Sequence, residues 1–164
     1  MHDGVRNVVI AGLGGQGVLT ASDIIAAAAF LAGLDVKKSE VHGMSQRGGS
    51  VASDIRFGAR VLSPMVPPGE ADFLLALAPE WIEVSRPRLR GEGVLIEPGF
   101  LGEEEARSLG RALNTALLGA LSAHLDIGRD VWLDAIRLVL PERLHEINER
   151  AFELGRSRML QVQG

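Results

Sequence analysis

The sequence predicts an α/β protein: three layers, α/β/α, built on a Rossmann-like sheet and closed by a helical C-terminal tail. Three observations carry this. A valine- and isoleucine-rich run, Val5–Ala11, passes through a glycine turn into a long apolar helical pattern. Apolar strand-like runs then alternate with helical patterns as far as Ile96. From Glu103 onward only helical periodicity is left. At 164 residues the chain has room for one core, and residues 1–164 read as a single domain.

Taken in order, Val5–Ala11 has the composition of a strand buried on both faces. Gly12–Gly17 turns the chain, and a helix runs to about Leu31, ended by Gly33. Leu34–Val41 is a second strand. Ser50–Phe57 alternates Val51, Ser53, Ile55 and Phe57 with Ala52, Asp54 and Arg56, the pattern of a half-exposed strand. Val61–Leu62 is expected to pair with it across a turn at Gly58. The stretch VLSPMVPPGEA forms a loop into Ala71–Leu77, a third buried strand. Pro79 suits the first turn of a helix reaching about Leu89, and Val94–Ile96 is a short strand between glycines. Glu103–Leu125 holds a short helix and a longer apolar one, and Arg129–Leu140 another, although Gly128 is a poor N-cap. Pro141 opens the last helix, with Leu144, Ile147, Ala151 and Leu154 as its apolar stripe.

Composition excludes several function classes. A net charge of −4 with no basic cluster argues against nucleic-acid binding. Zero cysteines exclude thiolate zinc sites, iron–sulfur ligation and a cysteine nucleophile in this chain. Four scattered histidines with no HxxxH pair argue against a histidine metal site. Residues 18–33 are too few to span a bilayer and contain Asp23, so no membrane segment is expected. The start, MHDGVRNVVI, lacks secretory-signal features, and the expected location is the cytoplasm.

Two glycine-rich segments carry the chemistry. Gly12, Gly14 and Gly17 satisfy GxGxxG between a strand and a helix, where bare amides and the helix dipole favour anions. A dinucleotide site also asks for an acidic residue ending the second strand, and only Glu40 offers one. Gly15 and the Gln16 side chain are additions that such a turn does not need. The alternative, that the glycines only permit a tight turn, stays open.

The second segment runs from His42 to Gly49. Gly43, Gly48 and Gly49 bracket Ser45, Gln46 and Arg47, three consecutive polar side chains. Arg47 offers a rigid fork for carboxylate or phosphate, and His42 a donor or proton carrier. Against this, His42 taken alone is better read as a turn residue, and Arg47 could pair with Glu40 or Asp54. As a unit, the two segments are expected to meet at the carboxyl ends of neighbouring strands and form an anion-binding rim.

The pair GLGGQGVLTASDIIAAAAFLAG and HGMSQRGGSVASDIRFG resembles the gamma-type domain of the thiamine-diphosphate-dependent 2-oxoacid:ferredoxin oxidoreductases. The HGMSQRGG form is most similar to the smaller (beta) subunit of the indolepyruvate type. The likeness continues through FLLALAPEWIEVSRPRL, NTALLGALSAHL and EINERAFELG, so it covers nearly the whole chain. One departure is the short Phe100–Leu113 segment, where relatives of that family carry a longer stretch with another strand. Either the sheet is a strand smaller or an edge is left for a partner.

The resemblance implies oxidative decarboxylation of aryl pyruvates to arylacetyl-CoA, an oxidoreductase reaction on the oxo group with an iron–sulfur acceptor. Thiamine diphosphate, magnesium and the clusters are then expected in a larger alpha-type catalytic subunit, with ferredoxin as electron acceptor and coenzyme A as co-substrate. This chain alone is expected to bind no cofactor, hold no catalytic residue and be inactive; a homodimer contact is a further expectation. Gly12, Gly14, Gly15, Gln16, Gly17, His42, Gly43, Ser45, Gln46, Arg47, Gly48 and Gly49 are expected to rim the partner's cofactor region. A stand-alone dinucleotide-binding module and a non-catalytic scaffold subunit are the alternatives.

Overall fold

A computed structural model describes residues 4–42 and 49–164. Its strands are β1 (Arg6–Leu13), β2 (Asp35–His42), β3 (Ser50–Gly58), β4 (Ala71–Ala76) and β5 (Leu89–Ile96). They form one mixed sheet in the order β2-β3-β1-β4-β5. β3 runs antiparallel to both β1 and β2, whereas β4 is parallel to β1 and to β5. The helices are α1 (Val18–Leu31), α2 (Ile82–Ser85), α3 (Glu103–Leu109), α4 (Leu113–Ser122), α5 (Arg129–Val139) and α6 (His145–Gln163). The three-layer α/β class with a helical tail is therefore as the sequence predicts.

The valine-rich β1 is central, and Val8, Val9 and Ile10 are fully buried. Strand pleating sends Val8 and Ile10 to one face and Val9 and Ala11 to the other. On the first face Ile55, Phe57 and Leu75 join them against Ile24 and Ala28 of α1, Leu118 of α4, Trp132 of α5 and Phe152 of α6. The other face is thinner. Val9, Ala11 and Leu74 lie under Val66 of the loop before β4 and Trp81 of the turn after it.

Four expectations need correction. Val61–Leu62 adds no strand; both edges of β3 are already bonded to β1 and β2. On the outer face of β3, Ala52 and Arg56 are partly exposed as expected, but Asp54 between them is 2% exposed. It accepts the Val66 N–H and a two-pronged contact from Arg88 at 2.8 and 2.7 Å. The helix expected from Pro79 to Leu89 is broken into 3-10 turns, Pro79–Trp81 and Arg86–Arg88, around the four residues of α2. Pro87 lacks the N–H a continuing helix requires. β5 is consequently longer than Val94–Ile96, and absorbs Gly91 and Gly93 beside a register shift opposite Ala71/Phe73.

The fourth correction concerns α6. Its buried face is Asn148, Ala151, Phe152, Gly155 and Met159, and Ile147 of the expected stripe is 56% exposed. The reason is how closely α6 crosses α4. A Cβ at Gly119 would strike the Phe152 carbonyl, and one at Gly155 the Ala116 carbonyl. Contact is thus made by backbone and small residues, on a face rotated away from the leucines. Residues 100–113 contain α3 and 3-10 turns but no strand, so the five-stranded sheet has β2 and β5 as its edges.

Candidate functional site

The glycine turn lies where β1 hands over to α1. Gln16 closes it twice: its backbone N–H donates to the Leu13 carbonyl (3.1 Å), and its side-chain Oε1 accepts the Leu13 N–H (2.6 Å). Gly12 leaves room for this, since a Cβ there would press on Gln16 Oε1, Val18 and Leu77. Gly15 and Gly17 have φ of 88° and 82°, conformations that disfavour any side chain. Gln16 is therefore a structural part of the turn, a role its sequence position did not reveal.

The second segment returns beside the first. β2 and β3 form an antiparallel hairpin in which His42 stands opposite Val51, and Val51 opposite Gly12 of β1. Gly14 donates its N–H to the Gly49 carbonyl at 3.1 Å. Both ends of the 42–49 segment are thus held at the mouth of the glycine turn. Gly43, Ser45, Gln46, Arg47 and Gly48 lie outside the described residues. The first two strands, β1 and β2, are not the neighbours the sequence led us to expect: β3 stands between them, and it is β3 that carries the end of the second segment to β1. Of the carboxylates weighed as partners for Arg47, Asp54 is bound by Arg88 and Glu40 by Lys38 (2.9 Å). Burial acts to lower the Lys38 pKa, yet hydrogen bonds to Asp23 and Glu40 outweigh it and raise the value. A dinucleotide site would want Glu40 on a parallel strand next to β1. Here it sits one strand further out and is engaged.

Behind the turn the structure adds residues that sequence reasoning missed. Asn114, 5% exposed, donates from Nδ2 to the Gly17 carbonyl at 3.0 Å. Next to it, Thr115 Oγ1 donates to Asn148 Oδ1 (2.7 Å), and Asn148 Nδ2 donates to the Leu144 carbonyl (2.9 Å). A buried polar seam therefore runs from the glycine turn through α4 into α6. Beside it opens a cleft of about 450 Å³, lined by Gly15 and Gln16 of the turn and by Arg111 and Arg143. The asparagine at the head of NTALLG was visible in the sequence. The two arginines carried no signal, because only the packing of α4 against α6 brings their turns together. Among the described residues no group of three or more His, Asp or Glu side chains is placed to hold a metal ion.

The fold is that of oxidoreductase gamma subunits. The keto/oxoacid ferredoxin oxidoreductase gamma subunit of Geobacter sulfurreducens superposes with a TM-score of 0.78 at 24% identity, over 95% of this chain and 99% of that one. The 2-oxoglutarate:ferredoxin oxidoreductase of Magnetococcus marinus, solved with 2-oxoglutarate, coenzyme A and succinyl-CoA, superposes at 0.81 and 21% identity. There the match covers 98% of this chain but 32% of that chain, so the same fold is one part of a longer polypeptide.

Residues 7–98 match the family described as pyruvate ferredoxin/flavodoxin oxidoreductase. Indolepyruvate oxidoreductase subunit IorB of Thermococcus kodakarensis is 35% identical, over 91% of this chain and 93% of its own. The subunit of that name in Methanothermobacter thermautotrophicus is 33% identical, over 91% and 95%. The chain belongs to the pyruvate ferredoxin/flavodoxin oxidoreductase family. The alignment with the Thermococcus protein runs over 188 positions, more than the 164 residues here, so that relative carries segments this chain lacks.

Proposed function

We propose that this chain is the small subunit of an indolepyruvate-type, thiamine-diphosphate-dependent 2-oxoacid:ferredoxin oxidoreductase. In this reading it works with a larger subunit to convert aryl pyruvates to arylacetyl-CoA, and ferredoxin takes the electrons. The observation that carries it is the near full-length similarity to subunits named for indolepyruvate oxidation. The absence of any cysteine in the sequence agrees with a reading in which the partner holds the iron–sulfur clusters. Thiamine diphosphate, bound there, would supply the carbanion chemistry.

The role of this chain is then to bind and orient. The glycine turn and the 42–49 segment face the larger subunit, with amides and Arg47 presented where coenzyme A or a substrate carboxylate approaches. Arg47 supplies charge, and Ser45 supplies a hydrogen bond. Gln16 contributes by holding the turn, since its Oε1 is bound to Leu13.

Two experiments test this. Co-purification of the full chain from its native source is expected to bring a larger protein containing thiamine and iron; a partner lacking both sinks the assignment. In the reconstituted complex, Arg47→Ala is expected to lower turnover with aryl pyruvate by about tenfold or more, the scale of one lost charge-assisted contact. Unchanged assembly together with unchanged turnover would show the rim role to be wrong. Loop variants that alter assembly while turnover per complex stays constant would mark a scaffold.

A further inference from the structure

At the end of the sheet away from the glycine turn lies a cavity of about 580 Å³, bounded by the start of β1, the end of β3, β5 and the loop between α4 and α5. We propose that it binds an amino acid, as the zwitterion, with a large apolar side chain. This site is separate from the rim, and the inference does not rest on the proposed function.

Three features of the lining point to that ligand. The first is an apolar wall. Phe57 and Ile127, 2% and 5% exposed, line the cavity together with the half-buried Leu34 and Leu125. The second is charge of both signs: Arg6 and Arg90 line it, and so do Glu92 and Asp126. Among the described residues, Arg6, Glu92 and Asp126 take part in no ion pair. The third is preorganisation. Arg90 Nε lies 3.1 Å from Oδ1 of Asp72, a carboxylate 3% exposed that also accepts the Asn7 N–H at 2.8 Å. The guanidinium is thus drawn to the cavity wall by an ion pair with a buried carboxylate, which lowers the entropy lost on binding a carboxylate.

Each simpler ligand fits less well. A plain anion would face two lining carboxylates, and a plain amine two guanidiniums. A neutral hydrocarbon would engage none of Arg6, Glu92 and Asp126. A zwitterion matches both signs while its side chain covers the apolar wall. The volume lies within the ordinary range of small-molecule sites.

The full chain is titrated with L-phenylalanine, followed by calorimetry and by backbone amide shifts. The comparison ligands are 3-phenylpropionate, which lacks the ammonium, phenethylamine, which lacks the carboxylate, and L-alanine, which lacks the apolar side chain. Saturable binding is expected, with shifts at Gly58 and Ile127, and with each analogue at least about tenfold weaker. Arg6→Gln and Glu92→Gln, both at exposed positions, are expected to weaken L-phenylalanine binding by a similar factor with the melting temperature unchanged. Arg90→Gln is a further variant, interpreted only if its circular dichroism matches wild type. The proposal is overturned by no saturation up to about 10 mM, by 3-phenylpropionate binding as tightly as phenylalanine, by Arg6→Gln and Glu92→Gln both binding like wild type, or by shifts confined to the glycine turn.

Discussion

At the scale of single residues, Gly15 and Gly17 separate two costs that the turn combines. Both have positive φ, but a Cβ at Gly15 meets open space, whereas one at Gly17 collides with the Asn114 side chain. Gly15→Ala is expected to cost about 1 kcal/mol of backbone strain. Gly17→Ala should cost about 2 kcal/mol more, since it also displaces a buried amide. Urea unfolding of the two variants measures the difference, and equal losses would contradict the packing. His124 gives a residue-scale pH effect. Its ring lies 5.5 Å from that of Phe73, and its Nε2 is buried without a hydrogen-bond partner among the described residues. Burial lowers its pKa. Below the ordinary histidine value of about 6.5 the unfolded chain takes up this proton more readily than the folded one. Stability is therefore expected to fall as pH drops from about 6.5 towards the depressed folded value, and His124→Phe should flatten that part of the profile. A melting temperature with the same slope in both proteins would refute it.

At the scale of elements, the contact of α4 with α6 and the tie between β3 and the loop above it are the most sensitive joints. Helix backbones that meet at Gly119 and Gly155 leave no space for a methyl group. Gly155→Ala is expected to destabilise by about 3 kcal/mol, near the upper end of what overpacking costs; chemical denaturation checks it, and a loss within experimental error would mean the helices part easily. The Asp54–Arg88 pair pins the loop over the second face of the sheet, with the Asp54 side chain 3% and Arg88 31% exposed. Among the described residues, removing the guanidinium leaves Asp54 with the Val66 N–H alone. Arg88→Met is therefore expected to cost about 3 kcal/mol, and the double variant Asp54→Asn/Arg88→Met less than the sum of the two single ones. Additive losses in that cycle would show the pair to be uncoupled.

At the scale of the whole molecule, the chain is an α/β unit whose edges, β2 and β5, are open, and whose family places it among oxidoreductase subunits. A partner that binds only the folded chain stabilises it by mass action, by about 2.7 kcal/mol at a hundredfold excess over Kd. Addition of the larger subunit is thus expected to raise the melting temperature of this chain in a concentration-dependent way, and a constant value would argue against the assembly. No described helix is long and apolar enough to cross a membrane.

What the sequence determined by itself were features governed by local periodicity and local sterics. These include the doubly buried β1, the glycine turn and its helix, the helical tail, and the family, which is carried by two motifs in fixed order. Tertiary structure decided which strands lie together, because strand pairing depends on partners distant in the chain and no local pattern specifies them. It placed β3 between β1 and β2, and so brought Gly49 against Gly14 while moving Glu40 away from a dinucleotide position. It also chose the buried face of α6, where close backbone approach outweighed the leucine spacing, and it brought Asn114 to Gly17 across 97 positions of sequence. Hydrophobic pattern says that a surface is buried. Only the folded chain says against what.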